Sequence, residues 1–285
     1  MAMELWRGAP VAARMYETEQ PVLAALAARG VVPTLAVVRV GEKEDDLSYE
    51  RGLRRVAEGK IALKSVVLPE TVSADEFSAT LDELNADPSV HGILVFRPLV
   101  KPLRYEVDLD AAILPEKDVD GMTALAVSAA FRNAPDLCSP CTAQAVIEML
   151  DYYGVDLAGK RVTVVGRSLV VGKPLSMLLL NRNATVTVCH TGTADLAAEC
   201  RRADVVVACA GVRNLVTAAG MREGQVLVDV GIHVDENGLC GDVTAADAET
   251  AGVAALTPVP GGLGPVTNAV LVRNTIQAAK KQLKV

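Results

Sequence analysis

Residues 162–174, VTVVGRSLVVGKP, decide the fold. Four β-favouring residues run into Gly166; Arg167 and Ser168 follow, then Gly172, Pro174 and the largely apolar run 175–180. The order reads as a buried strand, a tight glycine turn and the start of a helix. Such a junction aims backbone N–H groups at whatever sits above the turn, and the helix dipole favours an anion there. Arg167 adds a planar, permanently charged fork suited to phosphate. The combination points to a phosphorylated dinucleotide and to redox chemistry. The glycines are spaced G-x5-G, however, and not G-x-G-x-x-G. A strand-glycine-helix turn also occurs in α/β proteins as plain architecture, so both readings stand on this segment alone.

Outward from the turn, the same rhythm recurs in both directions. On the N-terminal side, helical spacing over 10–30 ends at Gly30, and a strand is expected at 34–41. A helix follows at 45–59, a strand at 62–69, a helix at 73–87 with Ser73 as N-cap, and a strand at 90–99. On the C-terminal side a helix at 139–154 precedes the strand 161–165 and a helix from about 173. Strands at 184–189, 203–211 and 226–232, a helix at 193–202 and a terminal helix from 266 complete the series. Alternation of this kind implies α/β architecture with parallel sheets covered on both faces. We expect two α/β domains: residues 1–140 together with a terminal helix at about 266–285, and a Rossmann-type domain over 141–265. In such sheets ligands sit beyond the carboxyl ends of the strands, where Gly41, Pro98, Gly166, His190, Gly211 and Gly231 all fall.

Composition narrows the partners. The chain has 285 residues, 51% hydrophobic, 22% charged and only 3% aromatic, so its core must be built from Ala, Val and Leu. The net charge of -7 and the absence of a long basic run argue against nucleic acid. No stretch approaches the ~18 apolar residues needed to span a bilayer, and the N-terminus lacks the apolar segment of a signal peptide. A cytoplasmic protein without membrane contact is expected. The six cysteines are irregularly spaced, and a single C-x-x-C at Cys138–Cys141 is weak evidence for zinc. No metal is expected.

The segments VVGRSLVVGKP, EKDVDGMTA (116–124), SPCTA (139–143) and TPVPGGLGPVTNAVLVRNT (257–275) occur in an order and spacing that resemble the bifunctional methylenetetrahydrofolate dehydrogenase/methenyltetrahydrofolate cyclohydrolase family. The resemblance covers nearly the whole chain. It implies tetrahydrofolate derivatives as substrates, NADP (in some members NAD) as cofactor, a homodimer and a place in one-carbon metabolism. It also implies hydride transfer from the methylene bridge of 5,10-methylenetetrahydrofolate to nicotinamide, followed in bifunctional members by hydrolysis to 10-formyltetrahydrofolate. By the same resemblance Gly166, Arg167, Ser168, Thr191 and Ile232 line the dinucleotide. Asp120 grips the pterin edge, Tyr49 stacks on the folate, and Pro98, Gly261, Gly262, Gly264 and Pro265 border it. Bland alternatives stand beside three of these: Thr191 as a helix cap, Ile232 as core, Asp120 as a turn residue before Gly121.

The chain departs from the family pattern on one wall. Leu53 stands where the family has a catalytic lysine, four residues after Tyr49 and so on the same helix face. Phe96 stands at the family glutamine, with Arg97 next to it, and Asp46 at a family serine. Gly192 replaces a frequent basic residue after Thr191. Hydride transfer moves no proton and asks the protein mainly for distance and angle. Hydrolysis of the methenyl bridge needs a proton moved, and losing a positioned acid/base group typically costs 10²- to 10⁴-fold. A dehydrogenase with weak or lost cyclohydrolase is therefore expected. A fully bifunctional enzyme, a non-catalytic folate- or nucleotide-binding homologue, and an unrelated dehydrogenase sharing the Rossmann half are the alternatives.

Overall fold

A computed structural model describes residues 2–134, 137–235 and 238–285. It divides into two compact units, Met1–Arg14 with Thr142–Thr267, and Met15–Cys141 with Asn268–Val285.

The first unit is built on six strands. In chain order they are β1 (Glu4–Leu5), β5 (Arg161–Val165), β6 (Thr185–Cys189), β7 (Val205–Ala208), β8 (Val226–Asp229) and β11 (Ala255–Leu256). Their spatial order is β1-β11-β8-β7-β5-β6, and every pairing is parallel. β5, β7 and β8 are almost wholly buried, which is why their sequences read as unbroken valine-rich runs. Val165, Cys189, Val206, Leu227 and Leu256 belong to one continuous core cluster. A small antiparallel hairpin, β9 (His233–Asp235) with β10 (Gly238–Cys240), follows β8.

The second unit carries a three-stranded parallel sheet in the order β3-β2-β4, from β2 (Thr34–Val40), β3 (Ala62–Leu68) and β4 (Gly92–Val95). The central β2 is buried along nearly its whole length, and β3 is an edge strand on which Lys64, Ser65 and Val67 are exposed. Helices Glu44–Ala57 and Ala74–Ala86 connect the strands. Ser73 is the expected N-cap, and it closes a reciprocal capping box with Glu76. Phe77, Leu81, Val38 and Ile93 meet beneath the sheet with no exposed surface worth the name.

From Asn268 onward the terminal helix Leu263–Leu283 belongs to this second unit. Gln277 donates to Glu19 at 2.6 Å, Gln282 donates to the carbonyls of His91 and Glu116, and Asn274 donates to the carbonyl of Val119 at 2.9 Å. Among the described residues no helix is long and apolar enough to cross a membrane, and all six cysteines are free.

Candidate functional site

In the second unit the helix Glu44–Ala57 carries Tyr49 and Leu53 one turn apart. Tyr49 is 40% exposed and Leu53 is fully buried, so the position at which the family pattern has a lysine is here part of the core. Phe96, just past β4, meets Tyr49 edge-to-face with ring centroids 5.4 Å apart. Beneath the helix Glu50 and Arg39 form a buried ion pair at 3.1 Å, and Arg54 and Ser65 also bond to Glu50. This pair ties the helix to β2 and fixes the direction in which Tyr49 leaves it.

Asp120 sits in the turn after the 3₁₀ segment Pro115–Lys117. The carboxylate that organises this turn is Asp118: it accepts the N–H groups of Gly121, Met122 and Thr123 at 2.9, 3.1 and 2.7 Å. Gly121 has φ +72°, and a Cβ there would lie 2.3 Å from the carbonyl carbon of Ser139, so only glycine fits. With Asp118 doing the turn's work, Asp120 is not the structural turn residue that its sequence position allows. The Cys141 thiol lies 3.3 Å from the Val119 carbonyl and within hydrogen-bonding reach of the Asp120 carboxylate. Asn274 donates to that same carbonyl, so the terminal helix braces the turn.

Burial, with the charge of Asp118, pushes the Asp120 carboxyl up to about 6, against the lowering pull of Arg97 and the Cys141 hydrogen bond. Burial, with the charges of Asp120 and Cys141, holds the Tyr49 phenol well above its ordinary value. Burial first, and then Asp120, does the same to the Cys141 thiol. Tyr49, Phe96 and Asp120 thus bring two aromatic rings, set edge-to-face, beside a poorly solvated carboxylate. That combination suits a planar heterocycle with an N–H edge. Pro98 is exposed beside Arg97, and its carbonyl lies 3.5 Å from Lys43 Nζ.

The remaining expected residues lie in the first unit. Gly166 follows β5 with φ +136°, and a Cβ there would meet the Cys209 carbonyl oxygen at 2.5 Å. The chain passes so closely that a Cβ at Gly172 would meet the Gly166 oxygen at 2.2 Å. Ser168 Oγ accepts from the N–H groups of Val171 and Gly172 just ahead of the helix Gly172–Asn181, which leaves the hydroxyl proton available to a ligand. Arg167 is exposed above the turn. At the end of β6, Thr191 is exposed and is not a cap; Asp195 caps the next helix by accepting from Ala198. Ile232, past β8, is 66% exposed, which is not a core position. The loop of Gly261, Gly262, Gly264 and Pro265 also belongs to this unit, locked by the Gly8 N–H donating to the Gly261 carbonyl at 3.0 Å.

Sequence reading missed Asp118, Cys141 and Asn274 as supports of Asp120, and Asp229 and Asp242 behind the β7 and β8 turns. Among the described residues no group of His, Cys, Asp or Glu is arranged to hold a metal.

Residues 6–120 match the family model of the tetrahydrofolate dehydrogenase/cyclohydrolase catalytic domain, and residues 140–283 match that of its NAD(P)-binding domain. The bifunctional protein FolD of Clostridioides difficile is 43% identical over 281 residues, which is 98% of this chain and 97% of that one. The crystal structure of the bifunctional FolD dehydrogenase/cyclohydrolase from Campylobacter jejuni superposes with a TM-score of 0.92 at 35% identity, covering 98% of this chain and 99% of that one. The Trypanosoma brucei FolD structure, complexed with NADP cofactor and inhibitor, superposes with a TM-score of 0.91 at 34% identity over 100% of both chains. A desolvated carboxylate beside an aromatic wall, a glycine turn at the mouth of a parallel sheet, and full-length similarity of this degree agree: the chain belongs to the tetrahydrofolate dehydrogenase/cyclohydrolase family, enzymes of one-carbon metabolism that pair a catalytic domain with an NAD(P)-binding domain.

Proposed function

We propose that this enzyme oxidises 5,10-methylenetetrahydrofolate to 5,10-methenyltetrahydrofolate with NADP, and that its cyclohydrolase step is weak or lost. One observation carries the reading: Leu53, at the family's lysine position, is fully buried in the core, and the Tyr49–Phe96 ring pair beside it supplies no titratable amine. In the oxidation the C–H bond of the bridging carbon breaks with its electron pair. The hydride joins the nicotinamide ring, and the positive charge left behind is shared by the two folate nitrogens. No proton moves, so Asp120 has only to hold the pterin edge and Tyr49 to hold the ring flat. Opening the methenyl bridge adds water and moves a proton. Arg97 serves that step poorly, because a guanidinium does not give up its proton near neutral pH.

NADP is favoured over NAD by the end of β6. NAD-binding sheets place a carboxylate about 20 residues beyond the glycine turn to pair with the ribose diol. Here the strand ends Cys189-His190-Thr191 with no acid, and Arg167 stands exposed at the neighbouring turn. The open edge of β3, with Val67 47% exposed, supports the homodimer that the family resemblance implies; a monomer mass by light scattering would refute that part.

Purified enzyme is incubated with methenyltetrahydrofolate and, separately, with methylenetetrahydrofolate and either dinucleotide. NADPH production with methenyl hydrolysis near the buffer rate is the expected result. Rapid hydrolysis refutes the loss. The amine to examine in that event is Lys43, at the rim beside Pro98: if Lys43→Ala abolishes the hydrolysis, the rim lysine has taken over the role.

A further inference from the structure

Two buried carboxylates behind the sheet's carboxyl edge join three separate loops. Asp229, the last residue of β8, accepts the N–H groups of Gly231, Asp242 and Val243 at 2.9, 3.0 and 2.9 Å. Asp242, fully buried, turns its Oδ2 to the N–H groups of Ala210 and Gly211 at 2.8 and 2.9 Å. The turn after β7, the turn after β8 and the strand-like return at 241–243 are therefore one hydrogen-bonded assembly. There is no slack in it. A Cβ at Gly231 would lie 2.1 Å from Asp242 Oδ1, and one at Gly241 would lie 1.9 Å from Asp229 Oδ2.

The remaining oxygen of Asp242 is held by a single side chain. His233 Nε2 lies 2.8 Å from Asp242 Oδ1. Two backbone donors already occupy the carboxylate, so it is the acceptor and the imidazole Nε2–H is the donor. His233 opens β9, directly after Ile232. The first of the loops it links backs onto the dinucleotide turn, Cys209 against Gly166; the second follows β8, the next strand along the sheet, and leaves Ile232 66% exposed at the same carboxyl edge.

We propose that His233 is a positioning residue for the dinucleotide: through Asp242 it locks the Cys209–Gly211 and Val230–Ile232 turns into the pair of walls that receive the nicotinamide half. The inference rests on the cofactor reading above. Without the His233 donor, Asp242 keeps its two backbone bonds but loses the contact that fixes its rotamer against Gly231. The binding-competent arrangement is then only fractionally populated, and apparent affinity falls by that fraction.

The test compares His233→Ala with His233→Gln, whose amide nitrogen reaches about as far as Nε2 and remains a donor. NADP affinity is measured by titration calorimetry, steady-state parameters by NADPH production, and amide exchange of Ala210 and Gly211 by NMR. For His233→Ala we expect Kd and KM for NADP to rise about tenfold with kcat within about twofold, as for loss of one hydrogen bond to a charged group. Exchange at Ala210 and Gly211 should quicken with no NADP present, and His233→Gln should restore most of each. Unchanged exchange and affinity in His233→Ala overturns the proposal, as does failure of His233→Gln to rescue. If His233→Ala does not fold, His233→Gln against the shorter His233→Asn makes the same comparison. A wild-type protein that binds no NADP, yet shows protected Ala210 and Gly211 amides released by His233→Ala, removes the cofactor reading and leaves the clamp standing.

Discussion

Replacing Asp120 with Asn should make the protein more stable and the enzyme much worse. The carboxyl is pushed from its ordinary 3.8 to about 6, chiefly by burial. Keeping it ionised in the fold at neutral pH therefore costs up to about 3 kcal/mol, which the residue's remaining contact with solvent trims to about 2. Asn keeps the shape and the acceptor facing Cys141 without the charge. The sign follows from proton counting. Between 3.8 and about 6 the folded state holds a proton that the unfolded state has lost, so this group's contribution to stability falls as pH rises through that window. The variant's advantage is then absent below 3.8 and complete above about 6. A gain of about 2 kcal/mol corresponds to a rise of about 5 °C in Tm for a protein of this size. On the proposed role of Asp120 folate binding runs the other way, because a pterin edge is held best by a charged acceptor. Wild-type affinity should weaken as pH falls through about 6, and Asp120→Asn should lose about 10²-fold in affinity at neutral pH, as for charge-assisted bonds replaced by neutral ones. Thermal melts across the pH range and folate titration calorimetry measure the two halves independently. A variant that melts no higher than wild type at neutral pH, or whose advantage persists in acid, refutes the buried-charge argument. One that binds folate with wild-type affinity refutes the role of Asp120.

Gly121→Ala places a methyl carbon 2.3 Å from the Ser139 backbone at φ +72° and should cost more than about 2 kcal/mol in urea unfolding; a smaller loss would mean that the turn relaxes. Glu50→Gln leaves the buried Arg39 guanidinium without a counter-charge and should cost about 3 kcal/mol. Burial raises the Glu50 carboxyl, but bonds from Ser65, Arg39 and Arg54 outweigh it and lower the value from 4.5. The stability this provides is present above 4.5 and lost as pH falls below it, so the acid limb of the wild-type stability curve should be steeper than the variant's. The double replacement Leu53→Lys with Phe96→Gln should raise methenyltetrahydrofolate hydrolysis by roughly 10²-fold or more if the missing amine is what limits it. An inserted lysine that leaves hydrolysis at the buffer rate would show that the wall has lost more than one proton carrier.

Elements with a strong local pattern were legible, and their ends were not. The strand expected at 203–211 is Val205–Ala208 and that at 226–232 is Val226–Asp229. In both cases apolar and glycine residues continue past the last ladder bond to line the turn, where hydropathy cannot tell wall from strand. The helix expected from 193 starts at Leu196, because the side chain of Asp195 supplies the cap. β1 has two residues and pairs with Ala255–Leu256, so nothing local marks it.

The same physics separates what could be read of the site from what could not. The glycine turn at 166 and the turn at Gly121 are local, because a positive φ is written into a single residue type. The division of labour between Asp118 and Asp120 is not local. Two carboxylates two positions apart differ only in what surrounds them: three backbone N–H groups for one, a thiol and an aromatic wall for the other. Asp242 is a sharper case, since its donors come from positions 210, 211 and 233, brought together only when β7, β8 and the hairpin are in place. A carboxylate serves structure when folding surrounds it with backbone donors and serves a ligand when folding leaves it short of them. That supply is settled by sequence-distant segments, so the residue type announces the chemistry and the tertiary contacts assign the role.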